Sequence, residues 1–104
     1  MAKYLLAFHG GGVPETEEEQ AQVMAAWGAW MGALGEAMVD PGNAVGQAKT
    51  ILADGSISLG GGANPVTGFT LINAANIDEA VALAKGCPIL EGGGSVEVGE
   101  TIDM

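Results

Sequence analysis

VTGFTLINAANIDEAVALAKGCP, residues 66–88, decides the fold of this chain. Residues 66–74 are rich in β-branched and aromatic side chains, which favour a strand. Asn76 can cap a following helix with Glu79 three residues later, and apolar residues then recur at helical spacing. Gly86 suits the left-handed position after a helix, and Pro88 stops it. The segment therefore predicts a strand followed by a short helix.

The N-terminal part predicts the same order of strand and helix. Residues 3–8 are apolar and partly aromatic, and they stop at His9 and three glycines, as a buried strand would. Thr16 can cap the next helix, with Glu19 completing a capping box. The helix then shows one apolar stripe with spacings of three and four, formed by Met24, Trp27, Met31, Leu34 and Met38.

Turn signals divide the remaining segments. Residues 40–43, DPGN, predict a turn, and Asp54-Gly55 predicts a hairpin within residues 44–62. Val96 and Val98 alternate in a last strand. This order predicts a single α+β domain over residues 1–104. The architecture is a ferredoxin-like split βαβ antiparallel sheet with two helices on one face.

The second face of this sheet is also predicted to be apolar. In the first strand Leu5 and Ala7 alternate with the apolar residues that point to the other face, which are Tyr4, Leu6 and Phe8. In residues 69–72 the side chains of Phe69 and Leu71 alternate in the same way with Thr70 and Ile72. A sheet with two apolar faces needs a second cover, and another copy of the chain is the simplest one. We therefore predict a homodimer that forms through sheet-on-sheet packing.

The charge of the chain excludes several classes of partner. Three lysines, no arginine and thirteen carboxylates give a formal charge of −10, which repels nucleic acid and anionic membranes. The single Cys87 and single His9 form no zinc-like cluster, so we predict no metal ion and no cofactor. Neither a secretion signal nor a membrane span is visible in the sequence, so we expect a cytoplasmic protein.

The segment NIDEAVALAKGCPILEGGGSVEVGETI, residues 76–102, follows GFTLINA and resembles the C-terminal half of the YCII-related family, in the branch named for its DGPF motif. The opening YLLAFHG, residues 4–10, is similar to the N-terminal half of that family. The resemblance covers nearly the whole chain. It implies a dimeric α/β barrel built from ferredoxin-like subunits.

Three departures separate this chain from the family pattern. Residues 59–69, LGGGANPVTGF, stand where the family carries DGPF, and Gly99-Glu100 stands where Arg-Pro usually follows Glu-Val. The first helix also lacks the histidine that has been suggested as catalytic in one branch. The resemblance therefore transfers no catalytic residue to this chain.

Two hypotheses of function remain from the residues themselves. In the first, Phe8, Trp27 and Trp30 line a cleft between helix and sheet that holds a small apolar or weakly polar metabolite, although either tryptophan can instead be core. In the second, His9 and Asp40 act as acid and base in an isomerase- or lyase-like enzyme. The alternative for His9 is a strand-end side chain bonded to a backbone carbonyl or water.

Overall fold

The computed structural model describes residues 2–12 and 15–103. In this part of the chain, two α-helices and six strands follow one another, with 3-10 turns after the first helix and before the last strand. In order they are β1 (Ala2–His9), α1 (Glu17–Leu34), a 3-10 turn (Gly35–Ala37), β2 (Met38–Asp40), β3 (Lys49–Ile51), β4 (Ile57–Leu59), β5 (Val66–Ala74), α2 (Ile77–Ala84), a second 3-10 turn (Pro88–Leu90) and β6 (Ser95–Glu100).

The main sheet has four strands in the order β2-β5-β1-β6, and every neighbouring pair is antiparallel. Helix α1 connects β1 to β2, and helix α2 connects β5 to β6; in both cases one other strand lies between the two that are connected. The predicted α+β class, with two helices and an antiparallel sheet, is confirmed.

Two parts of the predicted element order were wrong. Met38 does not extend the apolar stripe of α1, because the helix ends at Leu34 and Met38 pairs with Ile72 of β5. The predicted hairpin forms, but β3 and β4 make a two-stranded sheet of their own. The fourth strand of the main sheet is instead the short β2, and Asp40 at its end pairs with Leu71.

Both helices begin where the sequence predicts. The Thr16 hydroxyl accepts a hydrogen bond from the Glu19 amide at 3.1 Å, and the Asn76 carboxamide oxygen accepts one from the Glu79 amide at 2.8 Å. Each glutamate carboxylate turns back to accept from an amide just before the cap, at Glu15 and at residue 75. These bonds satisfy amides that have no partner within the helix.

The core lies on one face of the sheet and is shared by both helices. Tyr4, Leu6 and Phe8 alternate along β1 and point to this face. The other buried members of the core come from β5, both helices and the loop after α2: Ile72, Ala74, Trp30, Leu34, Ala80, Ala84 and Cys87. Because one cluster contains side chains from α1 and α2, the two helices cover the same face.

No helix of the described residues covers the opposite face of the sheet, which we call the open face. Leu5 on β1 lies opposite Leu71 on β5, and Ala7 lies opposite Phe69, so the two central strands are apolar here. Leu5 is exposed. The prediction of a second apolar face is therefore correct for β1 and β5, whereas β6 contributes the polar Ser95 and Glu97.

Two buried acids make the fold sensitive to alkaline pH. Burial raises the pKa of the Tyr4 phenol, as do the nearby carboxylates of Glu100 and Glu79, and burial also raises the pKa of the Cys87 thiol. The unfolded chain therefore loses these protons at a lower pH than the folded protein. The stability from both groups is fully present below the unfolded pKa values, about 8.5 for a thiol and 10 for a phenol, and is lost above them.

We therefore expect the free energy of unfolding to fall as the pH rises above about 8.5, where the thiol and then the phenol of the unfolded chain lose their protons. Urea denaturation at a series of pH values measures this change. A variant with Tyr4→Phe and Cys87→Ala is the control, and its stability is expected to fall less over the same range. An equal fall in both proteins would contradict the assignment to these two groups.

Candidate functional site

A cavity of about 260 Å³ lies between α1, β5 and the segment that follows β2. Phe8 of β1 and two side chains of α1, Trp27 and Met31, form much of its wall. The rest comes from residues 41–44, residues 67–70 and Ile89. The lining is mainly apolar, as is usual for sites that bind small molecules.

Two aromatic rings, Phe8 and Trp27, line one side of this cavity, and a third, Trp30, packs against them from behind. Phe8 and Trp27 meet edge to face with centroids 5.2 Å apart, and Trp27 meets Trp30 in the same way at 5.7 Å. Trp30 is only 7% exposed, and its indole Nε1 donates a hydrogen bond to the Leu83 carbonyl at 3.0 Å. The structure thus places Phe8 and Trp27 in the cavity wall and Trp30 in the core behind them.

Another cavity, of about 540 Å³, adjoins the first. The two cavities share the lining residues Trp27, Ala44, Thr67 and Ile89. The second one continues to the glycine segment 10–12 and to the loop after the second 3-10 turn. Together they form a groove, and Trp27 borders both parts of it.

The polar groups of the first cavity are largely occupied by the protein itself. The Thr70 hydroxyl donates to the Pro41 carbonyl at 2.9 Å, and the Thr67 hydroxyl lies 3.2 Å from the Phe8 carbonyl. The carboxamide of Asn43 is exposed and bonds to none of the described residues. No lysine lines the cavity, and the chain has no arginine. The site therefore suits a neutral ligand with little polarity.

The structure does not bring His9 and Asp40 together. His9 Nδ1 lies 3.0 Å from the Asn64 carbonyl oxygen, and Nε2 lies 3.1 Å from Glu97 Oε1. The Asp40 carboxylate accepts from the Gly42 amide at 2.8 Å. Asp40 pairs with a residue of β5 that lies opposite Leu5, four positions along β1 from His9. The sequence could not show this, because the position of β2 in the sheet was not predicted.

The His9 ring instead ties three segments together. It is 7% exposed, and both of its nitrogens face oxygen atoms of the protein, on β6 and on the segment before β5. A ring held in this way has no free nitrogen to present to a substrate. The alternative interpretation of His9, a strand-end histidine bonded to a backbone carbonyl, agrees with its contacts to the Asn64 and Pro65 carbonyls.

The glycines that follow His9 have a packing role. A Cβ atom on Gly94 would lie 2.8 Å from the His9 carbonyl oxygen and 3.0 Å from the Gly11 amide nitrogen. The glycine runs at residues 10–12 and 92–94 therefore pass each other backbone to backbone. This contact forms one end of the groove.

No family model matches the chain, and no curated protein matches it. The resemblance to the YCII-related family therefore stays a prediction from the residues quoted above. No helix within residues 2–12 and 15–103 has the length and apolar character needed to cross a membrane. The same residues contain no group of three or more metal-ligating side chains close enough to share an ion.

Proposed function

We propose that this chain is a homodimeric binding protein that holds a small, neutral, apolar or weakly polar metabolite in the cavity beside Trp27. The apolar cavity of about 260 Å³ is the observation that carries the proposal. A buried cavity of about 150 Å³ is enough to bind benzene. The volume here therefore suits a ligand of one or two rings, with one polar group that can reach Asn43 at the rim.

From the strand order of the main sheet we further propose that the chain is a ferredoxin-like subunit. Four antiparallel strands in the order β2-β5-β1-β6, with both helices on one face, are what a ferredoxin-like subunit requires. The apolar centre of the open face supports sheet-on-sheet pairing of two such subunits as a dimeric α/β barrel. His9 and Asp40 lie apart and are each bonded to other groups, so they give the enzyme hypothesis no comparable support.

A ligand panel tests the binding function. Indole and benzyl alcohol are expected to raise the melting temperature and to quench tryptophan fluorescence, whereas benzoate is expected to do neither, because no cation lines the cavity. At a ligand concentration of 100 times Kd, the linkage adds about 2.7 kcal/mol to the free energy of unfolding. Thermal denaturation and isothermal titration calorimetry measure these effects.

Two leucine variants locate the binding site. Ala44 lines both cavities, so Ala44→Leu fills part of the groove and is expected to weaken binding of indole. Ala29→Leu adds the same side chain to an exposed position of α1 outside the lining, and binding should be unchanged. Failure of every neutral ring compound to bind, or equal binding by both variants, would refute the proposed site.

A further inference from the structure

The hairpin of β3 and β4 has one apolar face that nothing in the described chain covers. We call residues 49–59 the ribbon. Its register places Ile51 opposite Ile57 and Lys49 opposite Leu59, while Thr50 and Ser58 share the other face. Ile51 is 74% exposed, Ile57 65% and Leu59 83%. Three large aliphatic side chains therefore stand together on one side of the ribbon.

The ribbon gains no stability from the main sheet through backbone pairing. Its two strands hydrogen-bond only to each other and form a separate sheet. A two-stranded hairpin alone in water is marginally stable at best, and it persists when its apolar face packs against something. A hairpin with this exposed aliphatic face is therefore stabilised if another surface covers that face.

The whole chain exposes more area than a compact monomer of its mass. The accessible area is 7014 Å² for a mass of 10.4 kDa, whereas folded monomers of this mass expose about 5,400 Å². The radius of gyration is 14.9 Å, against about 13 Å for a compact domain of this length. The excess of about 1,600 Å² exceeds the roughly 800 Å² that each partner buries in a stable complex.

We infer that the ribbon clasps a second copy of this chain. Its apolar face belongs to the same two-fold interface as the open face of the sheet, so each copy covers the ribbon of the other. This inference rests on the homodimer proposed above and extends it to a second surface. One chain carries both uncovered apolar surfaces, and a two-fold contact covers both of them at once.

The charges at these surfaces favour another copy as the occupant. The chain carries −10 in total, and two like-charged copies repel each other unless their interface is close to neutral. Two of its three lysines lie at the proposed interface: Lys3 beside Leu5 on the open face, and Lys49 opposite Leu59 on the ribbon. They offset the exposed carboxylate of Glu97, which lies opposite Ala7 on the same open face. The acidic start of α1 lies outside both surfaces.

The base of the ribbon is held in place before any partner arrives. The Asn64 and Pro65 carbonyls lie 3.0 and 3.2 Å from His9 Nδ1, and the Thr50 hydroxyl donates to the Gly60 carbonyl at 2.7 Å. The Val45 amide donates to the Thr67 carbonyl at 2.9 Å on the other side of the base. A segment ordered in advance loses less conformational entropy when it binds.

A pair of lysine variants tests the clasp by sedimentation equilibrium on the full chain. The wild type is expected to have twice the chain mass of 10.4 kDa. Leu59→Lys places a charge in the interface and is expected to raise the dimer dissociation constant about 100-fold, because two equivalent contacts each lose about tenfold. Ser58→Lys adds the same charge to the opposite face of the same strand, and the dimer should persist.

The outcomes separate the clasp from the dimer itself. A monomeric wild type overturns both proposals. A dimer that survives Leu59→Lys but dissociates with Leu71→Lys overturns the clasp and leaves sheet-on-sheet pairing. Hydrogen exchange of the wild type above and below its dissociation constant gives a check without substitutions. Ribbon amides that become less protected on dissociation support the clasp, and unchanged protection overturns it.

Discussion

Trp30→Ala is expected to lower the free energy of unfolding by about 3–5 kcal/mol, the range for removing a buried tryptophan. The side chain is 7% exposed and meets Phe8 and Trp27 edge to face at 6.3 and 5.7 Å. Its hydrogen bond to the Leu83 carbonyl joins α1 to α2, and the backbone of Gly86 packs against its indole ring. Loss of the indole therefore removes both this hydrogen bond between the helices and the packing of the ring on Gly86.

Urea denaturation, followed by circular dichroism, measures the effect, and Trp30→Phe is the matched control. Phenylalanine keeps much of the ring packing and loses the N–H donor, so a smaller loss of about 1–2 kcal/mol is expected. The Leu83 carbonyl still accepts from the Gly86 amide at 3.4 Å. A loss below about 1 kcal/mol for the alanine variant would be incompatible with a core position.

Gly42→Ala is expected to cost about 2–4 kcal/mol of stability, since it combines backbone strain with a steric clash. Gly42 has a φ of +72°, where residues with a Cβ atom are strained. The added Cβ would lie 2.7 Å from the Phe69 carbonyl carbon and would overlap the carbonyl oxygen. Because residues 41–44 and Phe69 border the cavity, the shift that relieves this clash should also weaken ligand binding.

Gly32→Ala is the control with the opposite expected sign. Gly32 lies within α1, and a Cβ atom there meets no atom within 4 Å. Alanine favours the helix by about 1 kcal/mol over glycine, so this variant should be more stable than the wild type. Urea denaturation compares both variants, and indole titration reports on the cavity. A Gly42→Ala variant as stable as the wild type would contradict the packing described at Gly42, and a loss of stability in Gly32→Ala would contradict the open space there.

Features set by near neighbours in sequence could be predicted. Both helix caps, the strand over residues 66–74 and the Asp54-Gly55 turn depend on side chains within a few positions of each other. The Asp54 carboxylate, for example, accepts from the Ser56 amide at 2.9 Å inside the turn itself. Bonds of this kind form whatever the rest of the fold does.

Features set by distant segments could not be predicted. Gly86 was expected to be left-handed, but its φ is not positive; a Cβ there would lie 3.1 Å from Cδ1 of Trp30, so the residue is small because the indole packs on it. The helical stripe placed Trp27 nearer the core than Trp30. In the structure Trp30 is instead the more buried of the two, because α2 and the loop after it lie against the Trp30 side of α1. Likewise, the carboxylate that faces His9 is Glu97, far along the chain.

The meeting of the two glycine runs, at 10–12 and 92–94, limits how this sequence can diverge. A side chain larger than hydrogen at Gly94 is admitted only if the strand end at His9 and the turn at Ile89 move apart. Such a movement widens the groove at that end. A substitution in one glycine run is therefore tolerated only together with a compensating substitution in the other. We expect the two runs to change together as this sequence evolves.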